Sequence, residues 1–425
     1  MKRIISALQW TVFIIAANLI PPIAVAASFG LNSQDTMLFL QRTIFVLGLA
    51  GLIQGLFGHK LPINEGPAGI WWGVFSLYAG LSQTLFGGNT ETLKILMFSL
   101  ILCGVISIVL SLLGILDKLS KLFTPRVVGT YLILLVVQLA SEFLKGMMGV
   151  GYLGNEVSLK ILLLSSLLVV ISLFLSKSKK FSSFTVIIVI VIGWVAFYLF
   201  GLTKPMPIVQ EVFKVPGLFV FGIPKVDFNM IPTVFLVTLL LLTNMLASIQ
   251  VIKHVVERID GKVNRPNIKK SGIVMGINEI ISAMFSAIGP VPISGSAGFI
   301  TQTKITSMPA FLLANVFVMV VSLCLPLIAF FSTLPTPVGY AAIFTIFANM
   351  IGLAMQEFDK VNNRQEIYKK VGIPIFIGVG LMFIPINAFN GLPPALISLL
   401  SNGLVFGTVI ALVIEIIGKI YKTKN

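Results

Sequence analysis

Apolar runs of helix length follow one another along almost the whole chain, and this leaves it very few folds. They fall near residues 5–27, 36–57, 66–86, 95–116, 127–147, 160–176 and 183–203, and again near 229–252, 271–289, 295–306, 308–331, 337–356, 371–388 and 396–418. In hydrocarbon every backbone N–H and C=O must be paired within the protein, so only helices and closed barrels span a bilayer. Runs of about 18–25 residues without period-two alternation are helices rather than barrel strands. The composition agrees, with 57% hydrophobic and 11% charged residues, where a soluble domain carries about 25% charged. The expectation is an all-α polytopic membrane protein with fourteen transmembrane segments.

The placement of charge orients these segments. A net charge of +15 would suggest nucleic acid as partner for a soluble protein. Here the basic residues sit in short loops, so the partner they imply is the lipid bilayer and not nucleic acid. If Met1 is cytoplasmic and each run crosses once, 23 of the 30 Lys and Arg residues fall in inner loops. The exceptions are Arg42, Lys94, Lys145, Lys160, Lys204, Lys214 and Lys225. An even number of crossings then puts both termini in the cytoplasm. The runs divide into a first repeat at 1–203 and a second at 229–425, joined by a Pro-rich extracellular connection at 204–228. Seven is odd, so the second half enters from the opposite side, and the architecture is a 7+7 inverted repeat. The N-terminal stretch to Ala27 has the outline of a signal peptide, but Gln9, Asn18 and the Pro21–Pro22 pair make it an uncleaved first span.

Two segments are unlike the rest. Residues 61–69 read LPINEGPAG and residues 291–298 read VPISGSAG; with one gap at Glu65 both are apolar-Pro-Ile-[Asn/Ser]-Gly-x-Ala-Gly. Gly- and Pro-broken hydrophobic segments in matching places of two halves point to a transporter's binding site. Proline pushes its predecessor out of the α region and donates nothing. Leu61–Pro62 and Val291–Pro292 therefore start as short extended strands, with half-helices beginning at Gly66–Gly69 and at Ser294–Gly298. Each half-helix start leaves unpaired N–H groups and a partial positive charge near the midplane. Together they would face one cavity suited to a compact, flat ligand rich in carbonyl oxygens or negative charge.

Other polar residues lie in apolar runs. Asn244 and Ser248 share a face of the eighth. Glu279, in the ninth, and Glu65, in the first motif, are the titratable groups at membrane depth and hence the candidate proton carriers. Cys103 and Cys324 read as buried small hydrophobes, His59 and His254 as isolated at inner span ends, and Glu357, Asp359 and Glu415 as solvated. No cluster offers metal ligands, a cofactor site or a base–nucleophile set, so the chain reads as no enzyme.

The order of several motifs resembles the nucleobase–cation symporters that include bacterial xanthine and uracil permeases. Residues 7–10 (ALQW) and 20–25 (IPPIAV) are similar to that family's first span, residues 52–62 (LIQGLFGHKLP) to its second span and the start of its third, and Asn363–Arg364 with 378–382 (GVGLM) to its thirteenth. The resemblance implies core and gate domains, with spans 1–4 and 8–11 forming the core. It also implies a substrate between the half-helices of spans 3 and 10, a gate-to-gate homodimer, and residence in the bacterial cytoplasmic membrane. The family's carboxylate in the eighth span corresponds here to Asn244, with Ser248 as its partner, and the Glu-Asn pair of the tenth corresponds to Gly295, Ser296 and Ala297. The reading is a permease for a purine or pyrimidine base such as xanthine, urate or uracil, moved by alternating access with a coupling proton or cation. The base would be held by Gly66, Pro67, Ala68, Gly69, Asn244, Ser248, Gly295, Ser296, Ala297 and Gln302, with Glu279 or Glu65 titrating. The competing readings are an anion transporter of the sulfate/bicarbonate type and an uncoupled nucleobase facilitator.

Overall fold

The computed structural model describes residues 2–424 apart from 81, 155, 179–180, 182–184, 204, 262–265, 390, 394–395, 397–398 and 401–402. Lys179, Lys180, Lys262 and Arg265, expected in inner loops, and Lys204 at the start of the Pro-rich connection lie outside the described residues. The first half contains α1 (Lys2–Asn18), α2 (Ile20–Ser28), α3 (Ser33–Phe57), β1 (Glu65–Pro67), α4 (Gly69–Gly80), α5 (Ser82–Phe86), α6 (Asn89–Leu112), α7 (Ile115–Ser120), α8 (Pro125–Met147), α9 (Leu159–Lys177) and α10 (Thr185–Leu199). The second contains α11 (Ile231–Asp260), α12 (Ile268–Met284), β2 (Pro290–Pro292), α13 (Ser296–Thr303), α14 (Met308–Leu323), α15 (Leu325–Ser332), α16 (Thr336–Asp359), α17 (Arg364–Met382) and α18 (Gly403–Lys424). Among the described residues, seven helices are long and apolar enough to cross a membrane and three more are apolar but shorter.

Proline decides where the apolar runs break. The first run divides after Asn18, with Pro21 and Pro22 in the opening turn of α2, where a missing N–H costs nothing. The run over 308–331 divides at Cys324, with Pro326 opening α15. Asparagines start other helices: Asn32 accepts from the Asp35 N–H at 2.8 Å and Asn267 from the Lys270 N–H at 2.9 Å. Helix α9 shows how lipid as solvent inverts the usual pattern. It buries Ile161, Ser165, Leu168 and Ser172 along one stripe and exposes Leu163, Leu167 and Phe174, while Ser172 pairs with Thr345 of α16 at 3.0 Å.

The helices pack in two groups. In one, α3 lies along α14, α6 along α12, α1 along α14 and α11 along α6; in the other, α8 lies along α16, α17 along α18 and α9 along α16. Glycine sets the closest approaches: a Cβ on Gly104 would collide with the Gly276 carbonyl, and one on Gly276 with the Gly104 carbonyl.

The broken segments meet as an antiparallel ladder, with Glu65 opposite Pro292, Gly66 opposite Val291 and Pro67 opposite Pro290. The bonds Ile293 N–H to Asn64 O (2.9 Å) and Ala68 N–H to Gly289 O (3.0 Å) close its two ends. Here the structure corrects the motif alignment. The second extended piece lies where expected, but the first is at Glu65–Pro67, not Leu61–Pro62, and the helices begin at Gly69 and Ser296. In a ladder centred on Gly66 and Val291, the counterpart of Pro292 is Pro67 and that of Ile293 is Ala68. Leu61 is diverted because its N–H binds the His59 ring (3.1 Å).

The Pro-rich connection is a strap over one end of the first helix group. Lys214 N–H bonds Leu323 O (3.0 Å), Leu325 N–H bonds Val212 O (2.9 Å), Phe219 N–H bonds Met284 O (2.7 Å), and Lys225 pairs with Glu91 at 2.8 Å. Arg42 stacks over Phe39 and Phe221. Glu357 and Glu415, expected to be solvated, are buried because each has a cation, Lys360 for the first, where the His254 ring also bonds, and Arg126 at 2.7 Å for the second.

Gly104→Val should lower stability by about 1–3 kcal/mol through overpacking of α6 on α12. Gly73→Ala, with nothing within 4 Å of its added carbon, should leave the melting temperature in detergent unchanged.

Candidate functional site between the half-helices

A cavity of about 180 Å³ lies where the two helix groups meet. The starts of α4 (Pro67, Ala68, Gly69, Ile70) and α13 (Ile293, Ser294, Gly295) form one side. Phe13 and Asn18 of α1, Leu241 and Asn244 of α11, Tyr131 and Gln138 of α8, and Leu404 and Val405 of α18 complete it. An apolar cavity of about 150 Å³ holds benzene, so this one has room for a flat heterocycle. No Lys, Arg, Asp or Glu is among its lining residues.

The polar lining is organised by β2. Asn244 donates to the Pro292 carbonyl (3.4 Å) and accepts from the Tyr131 hydroxyl (2.6 Å). Ser294 donates to the Tyr131 oxygen (3.2 Å). Ser248 donates to the Pro292 carbonyl and its hydroxyl is hydrogen-bonded to that of Ser294, both at 2.8 Å. On the other side Asn18 donates to the Asn64 side-chain oxygen (3.2 Å), leaving one acceptor on Asn18 and one donor on Asn64 without a protein partner. Whichever way the two amides are turned, one donor and one acceptor remain.

The site residues expected from sequence divide by depth. Pro67, Ala68, Gly69, Asn244 and Gly295 line the cavity. Gly66, Ser248, Ser296 and Ala297 lie behind it. Gly66 is small because a Cβ would strike Ile293 and Asn18, and Ser296 accepts from the Asn64 N–H at 2.8 Å. Gln302 sits half-buried in the last turn of α13, away from the lining. The two half-helices also differ. At α13 the Ala297 and Gly298 N–H groups bond back to Ser294 O (2.9 Å) and Gly295 O (3.1 Å), whereas the Gly69 and Ile70 N–H groups meet no acceptor among the described residues. The backbone donors open to a ligand are therefore mainly those of α4.

Sequence reasoning missed Asn18, Asn64, Tyr131 and Gln138. Asn64 and Ser294 occupy the shared [Asn/Ser] position of the two motifs, and that position was the signal for them; Tyr131 and Gln138 arrive from α8 through tertiary packing alone. His59 is not isolated. Its Nδ1 accepts from the Leu61 N–H, so Nε2 carries the proton and donates to Glu65 at 3.3 Å, both side chains being fully buried. Glu279 is fully buried as well, on the far side of the ladder from the cavity.

The family model described as "Permease family", that of xanthine and uracil permeases, matches residues 1–387. A Bacillus subtilis protein named "Putative purine permease YwdJ" is 41% identical over 420 residues, spanning 97% of this chain and 95% of that one. The xanthine permease of the same organism is 22% identical over 99% of this chain and 94% of its own length. Among solved structures, the transmembrane domain of the cyanobacterial bicarbonate transporter BicA has the same fold, with a TM-score of 0.56 and 16% identity over 96% of each chain.

Tyr131→Phe should cost about 1–3 kcal/mol by leaving the Asn244 oxygen without its donor. Chemical denaturation in detergent should show that this loss largely vanishes when Asn244 is already Leu.

Proposed function

Because the chain belongs to the permease family of xanthine and uracil transporters, we propose that the cavity between α4 and α13 is where it binds the nucleobase it moves across the membrane. It is a multi-pass transporter and not an enzyme. The observation that carries the site is the cavity itself: uncharged, flanked by Phe13, Trp72 and Tyr131, and edged by amides that both donate and accept. Aromatic faces suit the plane of a base. The side-chain amides of Asn244 and Gln138, with the Gly69 and Ile70 N–H groups, suit the alternating N–H and C=O groups of its rim. An inorganic anion would use cations and donors only, and the lining offers no cation.

In this reading the fourteen runs cross the membrane as two inverted sevens, 1–203 and 229–425, and place both termini in the cytoplasm of a bacterium. Three features support it: the antiparallel ladder about Gly66 and Val291, the matched packing of α3 on α14 with α6 on α12, and that of α1 on α14 with α6 on α11. The group around α3, α6, α12 and α14 is the core, and the group around α8 and α16 is the gate. Alternating access is then a rocking of these two groups about the cavity, with gate surfaces available for a homodimer. Ser248 and Ser296 act by holding Ser294 and Asn64 in place; Ala297 packs behind them and Gln302 takes no part.

Gly69 faces open space, with nothing within 4 Å of an added Cβ. Gly69→Val should therefore keep the wild-type melting temperature yet lose the thermal shift that xanthine, urate or uracil induces. Thermal shifts across purines, pyrimidines, sulfate and bicarbonate test the proposal, and a response to the inorganic anions alone would refute it.

A further inference from the structure

Behind the ladder lies a second polar cluster that the nucleobase site does not use. Glu65 is the first residue of β1 and sits opposite Pro292. Glu279, from α12, packs its carboxylate against Gly289, the residue immediately before β2, in company with Trp71 of α4 and Leu100 of α6. Gly289, which the Glu279 carboxylate touches, accepts from the N–H of Ala68, three residues beyond Glu65, at 3.0 Å. Glu65 and Glu279 are both buried, at 1% and 0% exposure. Among the described residues, one oxygen of Glu65, both oxygens of Glu279 and the indole N–H of Trp71, which packs beside Glu279 at Gly289, have no hydrogen-bond partner.

Among the described residues the groups that face this pair are few, and none is a fixed cation. On Glu65 they are His59, from the end of α3, and Glu279. On Glu279 they are Trp71 of α4, Cys103 of α6 and Glu65. His59 already has its protons assigned: Leu61 occupies Nδ1, and Nε2–H points at Glu65. Two carboxylates without a counter-ion at membrane depth cannot both be charged, so the cluster holds at least one proton as the neutral acid. A metal cation is a poor occupant, because hard cations take six or more oxygens and no group of three or more His, Cys, Asp or Glu side chains able to hold a metal ion occurs among the described residues.

We infer that Glu279, with the Glu65–His59 pair beside it, is the coupling-proton site of this transporter. The inference rests on the nucleobase-permease reading and locates its driving ion. The link to substrate is short. Glu65 is two residues from Pro67 and four from Gly69, and Trp71 lies between Ile70 and Trp72; all but Glu65 and Trp71 line the cavity. A base that orders the start of α4 therefore also sets the packing around Glu279. In the coupled step one proton binds a Glu279 oxygen from one side of the membrane, crosses as the neutral acid while the base is bound, and leaves to the other side.

The test uses the purified full chain in liposomes with radiolabelled xanthine, uracil or urate, whichever exchanges. Wild type should accumulate the base when the outside is acid, and the uptake of a neutral base should generate an inward current. Glu279→Gln, the isostere of the protonated acid, should keep base-for-base exchange within about twofold yet lose accumulation by about tenfold or more, with Glu279→Asp partly restoring it. Glu65→Gln should shift the pH at which accumulation is half-maximal. Full accumulation by Glu279→Gln, accumulation driven by a sodium gradient instead of a proton gradient, or wild-type uptake without current would overturn the assignment. The current requires no variant to fold. Exchange of no base by the wild type would overturn the permease reading itself, whereas exchange without proton-driven accumulation overturns this inference alone.

Discussion

Three residue pairs, Glu65–Pro292, Gly66–Val291 and Pro67–Pro290, hold the structure's organisation. Backbone that is neither helix nor barrel survives at membrane depth only when protein surrounds it and its polar groups are paired. The ladder and its two closing bonds do that pairing. Everything of interest then lies on one side of it or the other. Toward the second helix group are the half-helix starts and the cavity; toward α6 and α12 are the two carboxylates. Because Pro67, Pro290 and Pro292 have no N–H, the ladder has few bonds to give, and those at its ends carry it.

The division of labour among neighbouring residues follows from this. Pro292 offers its carbonyl to both Asn244 and Ser248, so β2 fixes the side chains that edge the cavity as well as the strand opposite. Asn64 bonds Ile293 through its carbonyl, Ser296 through its N–H and Asn18 through its side chain. Ser248 and Ser296, named as ligand contacts from sequence, lie behind the cavity lining and hydrogen-bond to Ser294 and Asn64, which are part of it.

Much of this was legible because lipid is an unforgiving solvent. It forces helical runs of a set length, confines charge to loops, and makes any Gly- and Pro-rich break conspicuous. Pro67, Gly69, Asn244 and Gly295 could be placed from that logic. The ladder's register could not. Pro62 and Pro67 both push their predecessors toward extended backbone, and only the partner strand, far away in sequence, decides between them. His59 was misread for a related reason: six residues of irregular chain bring it back onto Glu65, and no periodicity describes such a loop. Tyr131 and Gln138 sit on an unbroken helix with nothing local to mark them.

The ladder also has a bearing on how the protein is made. Its strands are separated by the whole length of a half, and ribosomes add about 5–20 residues per second. The edge of Glu65–Pro67 must therefore wait roughly 10–45 s after synthesis for Pro290–Pro292 to follow it. For that interval the third apolar segment has no completed pairing, so the first half cannot reach its final arrangement when its own last helix is inserted. Membrane insertion and folding are separate events in this chain, and the second is deferred until more than two thirds of it has been translated.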